Sequence, residues 1–237
     1  MGRVTVLVIA TTNRHKLAEI RAILGPRYRY LSLQDFPEAP KVVEDEKTFS
    51  GNAMKKAREL ARFLQDVAAL EYRVPGVNAL VVADDSGLEV DALNGAPGVH
   101  SARFAALDQD GNAGGLPRAG GEVAEASPSD AENNAKLLAL LRAVPLEKRA
   151  ARFRCVIASV RLKPLQPVLA GQTFEGVCEG RIQMEGRGQG GFGYDPLFQP
   201  LQHPLSFAQL AADSKNKISH RAQALDKFRR YLETLRL

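Results

Sequence analysis

The stretch VTVLVIATTNRHKLAEIRAILGP, residues 4–26, decides the fold, because its hydrophobic pattern changes from that of a strand to that of a helix. Residues 4–10 form a continuous apolar run, which is typical of a strand buried on both faces. Asn13 is a suitable N-cap for a following helix, and Gly25-Pro26 is a suitable stop. Between them, apolar residues recur at helical spacing, at Leu17, Ile20 and Leu24. The stretch therefore predicts a strand, a tight turn and a helix.

The rest of the chain alternates strand and helix patterns in the same way. Helices are predicted at 49–64, 130–144 and 217–235, and strands at 79–83, 88–91 and 151–162, with a further pair of strands around 168–183. The segment 106–129 is rich in glycine, alanine and serine without an apolar period, which predicts a flexible surface insertion. We expect a single domain over residues 1–237.

Composition places the chain among globular proteins, and its charge suits an anionic ligand. Of its 237 residues 45% are hydrophobic and 25% charged, so a packed core is expected rather than disorder. A net charge of +5 suits a nucleic acid or a polyphosphate nucleotide, and does not choose between them. Cys155 and Cys178 lack metal-site spacing, which predicts buried free thiols and a reducing cytoplasm. No export signal or membrane span is recognisable.

The stretch VVADDSGLEV, residues 81–90, places two adjacent acids behind small apolar residues. Asp84 and Asp85 are thereby predicted to lie at the end of a buried strand, where α/β proteins bind ligands. Two interpretations remain open, a solvated turn and the acidic floor of a metal site. On an extended chain adjacent side chains point in opposite directions, so we expect the two acids to have different roles.

Two further segments carry charges suited to phosphate and metal. ATTNRHK, residues 10–16, joins the first strand to the first helix, so free backbone N–H groups and Lys16 are predicted to face an anion there. A solvated Lys16 is the alternative, and no Walker loop is present. Glu44, Asp45 and Glu46 precede the second helix, either as a match to its dipole or as a source of one carboxylate for magnesium.

Two late segments are candidates for binding the rest of a ligand. GRGQGGFGYDP, residues 186–196, has five glycines within eight positions, so its backbone can approach a ligand while Phe192 or Tyr194 flanks a flat base. The alternative is a flexible hairpin. SKNKISHR, residues 214–221, collects basic residues before the last helix, and a solvated basic face is its alternative.

Taken in order, these segments resemble one family, the inosine triphosphate pyrophosphatases. The resemblance is carried by ATTNRHK, TFSGNAMKKA, ADDSGLEVDALNGAPGVHSAR, GGFGYDPLF and KISHRAQAL, and covers most of residues 4–230 apart from 106–129. It implies a mixed, twisted α/β sheet with flanking helices, forming two lobes around a substrate cleft. It also implies a cytoplasmic homodimer, without a membrane or a stable nucleic-acid partner, that uses Mg²⁺ to hydrolyse dITP, ITP and XTP to the monophosphate and pyrophosphate.

The resemblance also implies a role for individual residues. Glu44 and Asp85 would hold the metal, and Asp85, with Asp84 beside it, would activate water. The substrate contacts that it implies are Thr11, Thr12, Asn13, Lys16, Lys56 and Ser86, and, for the base, Phe192, Gly193, Tyr194, Asp195, Lys215, His220 and Arg221. The family usually has glycine where this chain has Thr12. Two alternatives remain, a pyrophosphatase for other modified nucleotides and a non-catalytic protein that binds nucleotides or nucleic acid.

Overall fold

The computed structural model describes residues 5–66, 79–107, 128–162, 171–201 and 203–235. The helices are α1 (Arg14–Leu24), α2 (Phe49–Asp66), α3 (Asp130–Leu140), α4 (Ala212–Ile218) and α5 (His220–Thr234). The strands are β1 (Val6–Ile9), β2 (Arg29–Ser32), β3 (Ala79–Val90), β4 (Ala150–Leu162), β5 (Gln172–Ile182) and β6 (Phe198–Pro200). No helix in these residues is long and apolar enough to cross a membrane.

The six strands form one mixed sheet in the order β2-β1-β3-β4-β5-β6. β1 runs parallel to both neighbours, with Val8 opposite Leu31 on β2 and Val81 on β3. β6 runs antiparallel to β5. A connection between parallel strands must cross over the sheet, and α1 and α2 lie in such connections. The predicted mixed α/β sheet with flanking helices is therefore confirmed.

The first strand, turn and helix follow the sequence signals closely. Every residue of β1 is buried, as a strand covered on both faces requires. Asn13 caps α1 by accepting hydrogen bonds from the N–H groups of His15 and Lys16, a contribution of about 1 kcal/mol. The helix ends at Gly25, whose φ of 80° is easily reached without a β-carbon.

The chain divides into two compact units, each assembled from separate stretches of sequence. The first comprises Met1–Ser86, Arg154–Val177 and Asn216–Leu237, and the second comprises Gly87–Phe153 and Cys178–Lys215. A hydrophobic core of the first unit joins the central strands to α1 and α5 through Leu7, Ile9, Ile20, Leu24, Leu80, Val82, Leu225, Phe228 and Leu232. The single domain and the substrate cleft stay predictions.

The prediction of two short strands around Asp84 and Asp85 is wrong. β3 runs without interruption from Ala79 to Val90, and both acids are buried within it. β1 pairs with β3 only as far as Val82, so the two acids lie just beyond the carboxyl end of β1. They therefore lie at the end of a parallel strand, the place where α/β proteins commonly bind ligands, although their own strand continues. The solvated turn is excluded by their burial.

Two other boundaries differ from the sequence prediction. The predicted pair of strands around 168–183 is one strand, β5, in the residues described there. The predicted helix 217–235 is two helices, because Ser219 has an extended backbone with φ of −67° and ψ of 158°. Its hydroxyl accepts a hydrogen bond from the N–H of Ala222 and begins α5. Most of the predicted insertion at 106–129 lies outside the described residues.

Candidate functional site

The first unit contains a buried cluster of charged side chains at the carboxyl end of β1. Asp84 and Asp85 are only 2% and 5% exposed, which is costly for two carboxylates unless cations surround them. Because successive side chains of a strand point to opposite faces, the two acids meet different partners. That the two acids have different roles stays a prediction.

Asp84 is held by cations on both of its oxygens. Lys16 Nζ lies 2.6 Å from Oδ1, and Arg221 Nε donates to Oδ2 at 2.8 Å. The Ser86 hydroxyl donates to Oδ1 at 3.0 Å and accepts from Arg221 Nη2 at 2.9 Å. Burial alone would raise the pKa of Asp84, but the charges of Arg221 and Lys16 outweigh it and keep that pKa well below its usual range. Asp84 is therefore a fixed anion.

Two further residues of this cluster were missed by the sequence analysis. The Cys155 thiol donates to Asp84 Oδ2 at 3.1 Å, and burial together with the Asp84 charge raises the pKa of that thiol, which keeps it a donor. Glu19 bonds Arg221 Nη1. Glu19 follows Lys16 by three positions on α1, so a shared helix face was a usable signal. For Cys155, one apolar residue among many on β4, no local signal exists.

Asp85 lies in a second group of charges, formed with α2 and the acidic segment before it. Lys56 Nζ is 2.8 Å from Asp85 Oδ1 and 3.3 Å from Glu44 Oε1. The two carboxylates therefore share contact with one ammonium. Burial raises the pKa of Asp85, and the positive charge of Lys56 offsets only part of that rise. An acid with this pKa is a better proton acceptor than an ordinary aspartate.

The Asp85 group has the chemistry of a partial metal site. Among the described residues no cluster of three or more His, Cys, Asp or Glu side chains forms a complete one. Magnesium bound with a nucleotide needs only one or two carboxylates, however, with phosphate and water as its other ligands. Within the described chain, the buried Asp85 Oδ2 has no hydrogen-bond partner. The carboxylates of Glu44 and Asp85 together carry one more negative charge than the Lys56 ammonium neutralises. The pair therefore fits a divalent cation.

The loop between β1 and α1 differs in part from its prediction. The N–H groups of His15 and Lys16 are satisfied by Asn13, so they are not free for an anion. Lys16 is not solvated, since its side chain is 17% exposed and paired with Asp84. Thr12 is exposed, and it does not have the positive φ that would strain a threonine: in the described residues Asn94 is the one non-glycine residue with positive φ. Thr11 Oγ1 accepts from the Asn13 N–H at 3.1 Å.

The second unit contains a buried ion pair between two of the predicted base-binding residues. Lys215 Nζ lies 2.6 Å from Asp195 Oδ2, and both side chains are at most 5% exposed. The same carboxylate oxygen accepts the N–H of Phe192 at 2.9 Å. The Lys215 ammonium also lies 4.9 Å from the centre of the Phe192 ring and 5.6 Å from that of Phe207. This pair fixes the position of Phe192, which is half-buried.

The turn at Gly193 and Tyr194 is held in place by residues that were not predicted. The Gly193 N–H donates to Asp130 at 2.6 Å, and its carbonyl accepts from Asn134 at 2.9 Å, both on α3. Gly193 has a φ of 64°, so a side chain there would be strained. Tyr194 is 4% exposed and donates its hydroxyl to the Ser101 carbonyl. Tyr194 is thus a core residue, which leaves Phe192 as the aromatic ring able to flank a base.

His220 and Arg221, the other predicted base-binding residues, begin α5 in the first unit. His220 is 4% exposed, and Arg221 is 1% exposed with its guanidinium against Asp84 and Glu19. Arg221 thereby belongs to the charged cluster. A direct contact of either residue with a base stays a prediction.

The fold and the cluster define a class of protein: a mixed α/β protein with buried carboxylates and cations beyond a parallel strand, suited to binding a phosphate and a metal ion. The chain belongs to the Ham1 family, whose model matches residues 7–231.

Individual relatives agree over nearly the full length. The chain is 44% identical to a dITP/XTP pyrophosphatase of Desulforamulus reducens over 230 residues, which cover 97% of this chain and 96% of the relative. It is 46% identical to a dITP/XTP pyrophosphatase of Geobacter sulfurreducens, over 93% of each chain. Among solved structures it resembles a HAM1 protein from Coxiella burnetii, with a TM-score of 0.72, 34% identity and coverage of 97% of this chain and 98% of that one.

Proposed function

We propose that this protein hydrolyses noncanonical purine nucleoside triphosphates, namely dITP, ITP and XTP, to the nucleoside monophosphate and pyrophosphate. The proposal is supported by the names of its relatives in the Ham1 family. The observation that carries it is the arrangement at Asp85: a buried carboxylate with one oxygen that lacks a hydrogen-bond partner in the described chain, beside Lys56 and Glu44.

Asp85 is the proton acceptor in this proposal, and Asp84 is not. Asp84 is saturated with donors from Lys16, Arg221, Ser86 and Cys155, so accepting a proton would disrupt these bonds. Asp85 Oδ2 has no hydrogen-bond partner in the described chain, so a proton gained there from the attacking water would displace no hydrogen bond. Asp84 instead positions Lys16, whose charge would stabilise the negative charge that grows on the phosphate in the transition state.

Glu44 and Asp85 would hold a divalent cation, which we propose to be Mg²⁺. When bound, it supplies neutralisation of phosphate charge and lowers the pKa of a coordinated water. Lys56, whose ammonium contacts both carboxylates, would offset their mutual repulsion. Thr11, Thr12, Asn13 and Lys16 would contact the triphosphate.

Selection of the base would rest on donors that meet its 6-oxo group. In this proposal Phe192 stacks on the base, and the ion pair of Lys215 and Asp195 positions its ring. His220 and Arg221 are the proposed hydrogen-bond donors. The 6-amino group of adenine would leave donor facing donor, at a cost of about 1–3 kcal/mol for each buried group. We also propose that the protein is a cytoplasmic homodimer without a stable nucleic-acid partner.

The direct test is the identity of the first product. The protein is incubated with Mg²⁺ and, separately, with the triphosphates of inosine, xanthosine, guanosine and adenosine, and pyrophosphate and orthophosphate are measured. Pyrophosphate should appear with inosine and xanthosine well before it does with the other two. Orthophosphate as the first product would refute the proposal. If modified pyrimidine nucleoside triphosphates, tested in the same way, were the only substrates turned over, the alternative of a pyrophosphatase for other modified nucleotides would be favoured.

A further inference from the structure

We infer that Asn52 is a positioning residue that holds Glu44 in place for the cation. This inference rests on the proposed role of Glu44 as a metal ligand. Asn52 lies on α2, one turn before Lys56, and is 1% exposed. Its side-chain oxygen accepts the N–H of Glu46 at 3.0 Å, and its side-chain nitrogen donates to the carbonyl of Glu46 at 3.4 Å. One amide thereby satisfies both backbone polar groups of a residue two positions from Glu44.

The segment that carries Glu44 needs such a fixed point. Residues 41–46 form no helix or strand, so no regular hydrogen bonding holds the backbone that carries Glu44. Glu44 is 38% exposed, and its contact with Lys56 at 3.3 Å is longer than that of Asp85. Contacts that hold the backbone near Glu44 therefore help, together with Lys56, to place the carboxylate.

The other contacts of this segment with α2 are weaker or less direct. Lys55 and Asp45 form an ion pair at 2.5 Å, but their side chains are 25% and 61% exposed, and exposed pairs hold a chain weakly. The Gly51 N–H donates to Thr48 Oγ1 at 3.0 Å, four residues beyond Glu44. The Asn52 side chain is almost fully buried, and its bonds to Glu46 lie closer in sequence to Glu44 than the bond at Thr48 does.

Close packing of the segment on α2 supports the same conclusion. A β-carbon at Gly51 would come within 2.9 Å of the Glu46 β-carbon and 3.1 Å of Thr48 Oγ1. The acidic segment therefore lies directly against the first turn of the helix, and the amide of Asn52 sits at that contact. Asn52 acts on the cation through the backbone of Glu46 and the side chain of Glu44.

The chain offers a matched control in Asn133. Asn133 is 3% exposed, and its amide likewise brackets backbone groups, accepting from the N–H of Ala105 at 2.8 Å and donating to the carbonyl of Ala102 at 3.3 Å. Asn133 belongs to the second unit and is bonded to no acidic segment. Asn52→Ala and Asn133→Ala thus remove equivalent structural bonds, and only the first should affect the metal.

The experiment measures binding of Mn²⁺ alone, by the electron paramagnetic resonance signal of the free ion, together with the Mg²⁺ concentration for half-maximal turnover. Asn52→Ala should weaken Mn²⁺ binding by about tenfold and raise the Mg²⁺ concentration for half-maximal turnover by a similar factor, a typical effect of losing a group that orients a ligand. Saturating Mg²⁺ should restore most of the turnover. Asn133→Ala should change neither by more than about twofold. Asn52→Ser, which also cannot span both backbone groups, serves if the alanine variant does not fold.

Glu44→Gln separates this inference from the proposed function. If Asn52 acts through Glu44, adding Asn52→Ala to Glu44→Gln should weaken Mn²⁺ binding no further. Additive losses, or an Asn52→Ala variant with unchanged Mn²⁺ binding beside a weakened Glu44→Gln, would overturn the inference and leave the proposed metal site intact. Unchanged Mn²⁺ binding in Glu44→Gln would overturn both.

Discussion

Replacing Asp84 by asparagine should lower the free energy of unfolding by about 3 kcal/mol. The Asp84 side chain is fully buried, and Arg221 is 1% exposed, so neutralising the carboxylate leaves a buried cation without its main counter-charge. Breaking such a pair typically costs about 3–5 kcal/mol. We expect the lower end of that range, because Glu19 still faces Arg221 and the asparagine oxygen can still accept from one donor.

Urea denaturation at pH 7 provides the measurement. With a slope of about 2–3 kcal/mol per molar urea, a loss of about 3 kcal/mol moves the midpoint down by about 1–1.5 M. Asp45→Asn is the matched control, since it removes a carboxylate that is also paired with a lysine but is exposed. That variant should unfold at nearly the wild-type midpoint.

The pH dependence of the same difference follows from the depressed pKa of Asp84. The Arg221 and Lys16 charges, acting against burial, place the folded pKa well below the ordinary unfolded value of about 3.9. The stability contributed by the ionised Asp84 is therefore fully present above that ordinary value and is lost as the pH falls through the folded pKa. The gap between wild type and Asp84→Asn should be full at neutral pH and narrow in acid. A midpoint shift below about 0.3 M at pH 7, or a gap that widens in acid, would refute the buried network as described.

Three further predictions concern the two carboxylate groups and the second unit. Asp85→Asn should keep the fold and lose at least about 100-fold in turnover, because a proton acceptor is removed; near-normal turnover would exclude Asp85 from the mechanism. Burial raises the pKa of Asp85 and Lys56 lowers it, so Lys56→Met should move the acid limb of the pH–rate profile to higher pH, and a shift to lower pH would contradict this assignment. Arg149 is 1% exposed and donates to three backbone carbonyls. Arg149→Ala should therefore lower the free energy of unfolding, measured by thermal and urea unfolding, by about 3 kcal/mol or more. A loss below about 1 kcal/mol would show that water replaces the guanidinium.

The sequence by itself determined the features that depend on neighbouring residues. The cap at Asn13, the stop at Gly25 and the buried run of β1 each act within a few positions, so they could be read before the structure was known. The order of the short motifs pointed to a family, and Glu44 and Asp85 were placed together on that basis. Their common contact with Lys56 agrees with that placement.

The tertiary structure decided the features that depend on distant partners. The sequence Asp-Asp-Ser-Gly is typical of a turn, yet it continues a strand. Cations from other elements offset the desolvation cost of burying both carboxylates. Arg221 reaches Asp84 across 137 positions, and Cys155 does so across 71, so no local pattern could reveal either contact. The physical reason is that the desolvation cost of a buried charge depends on which groups surround it in space, and only the folded chain brings those groups together.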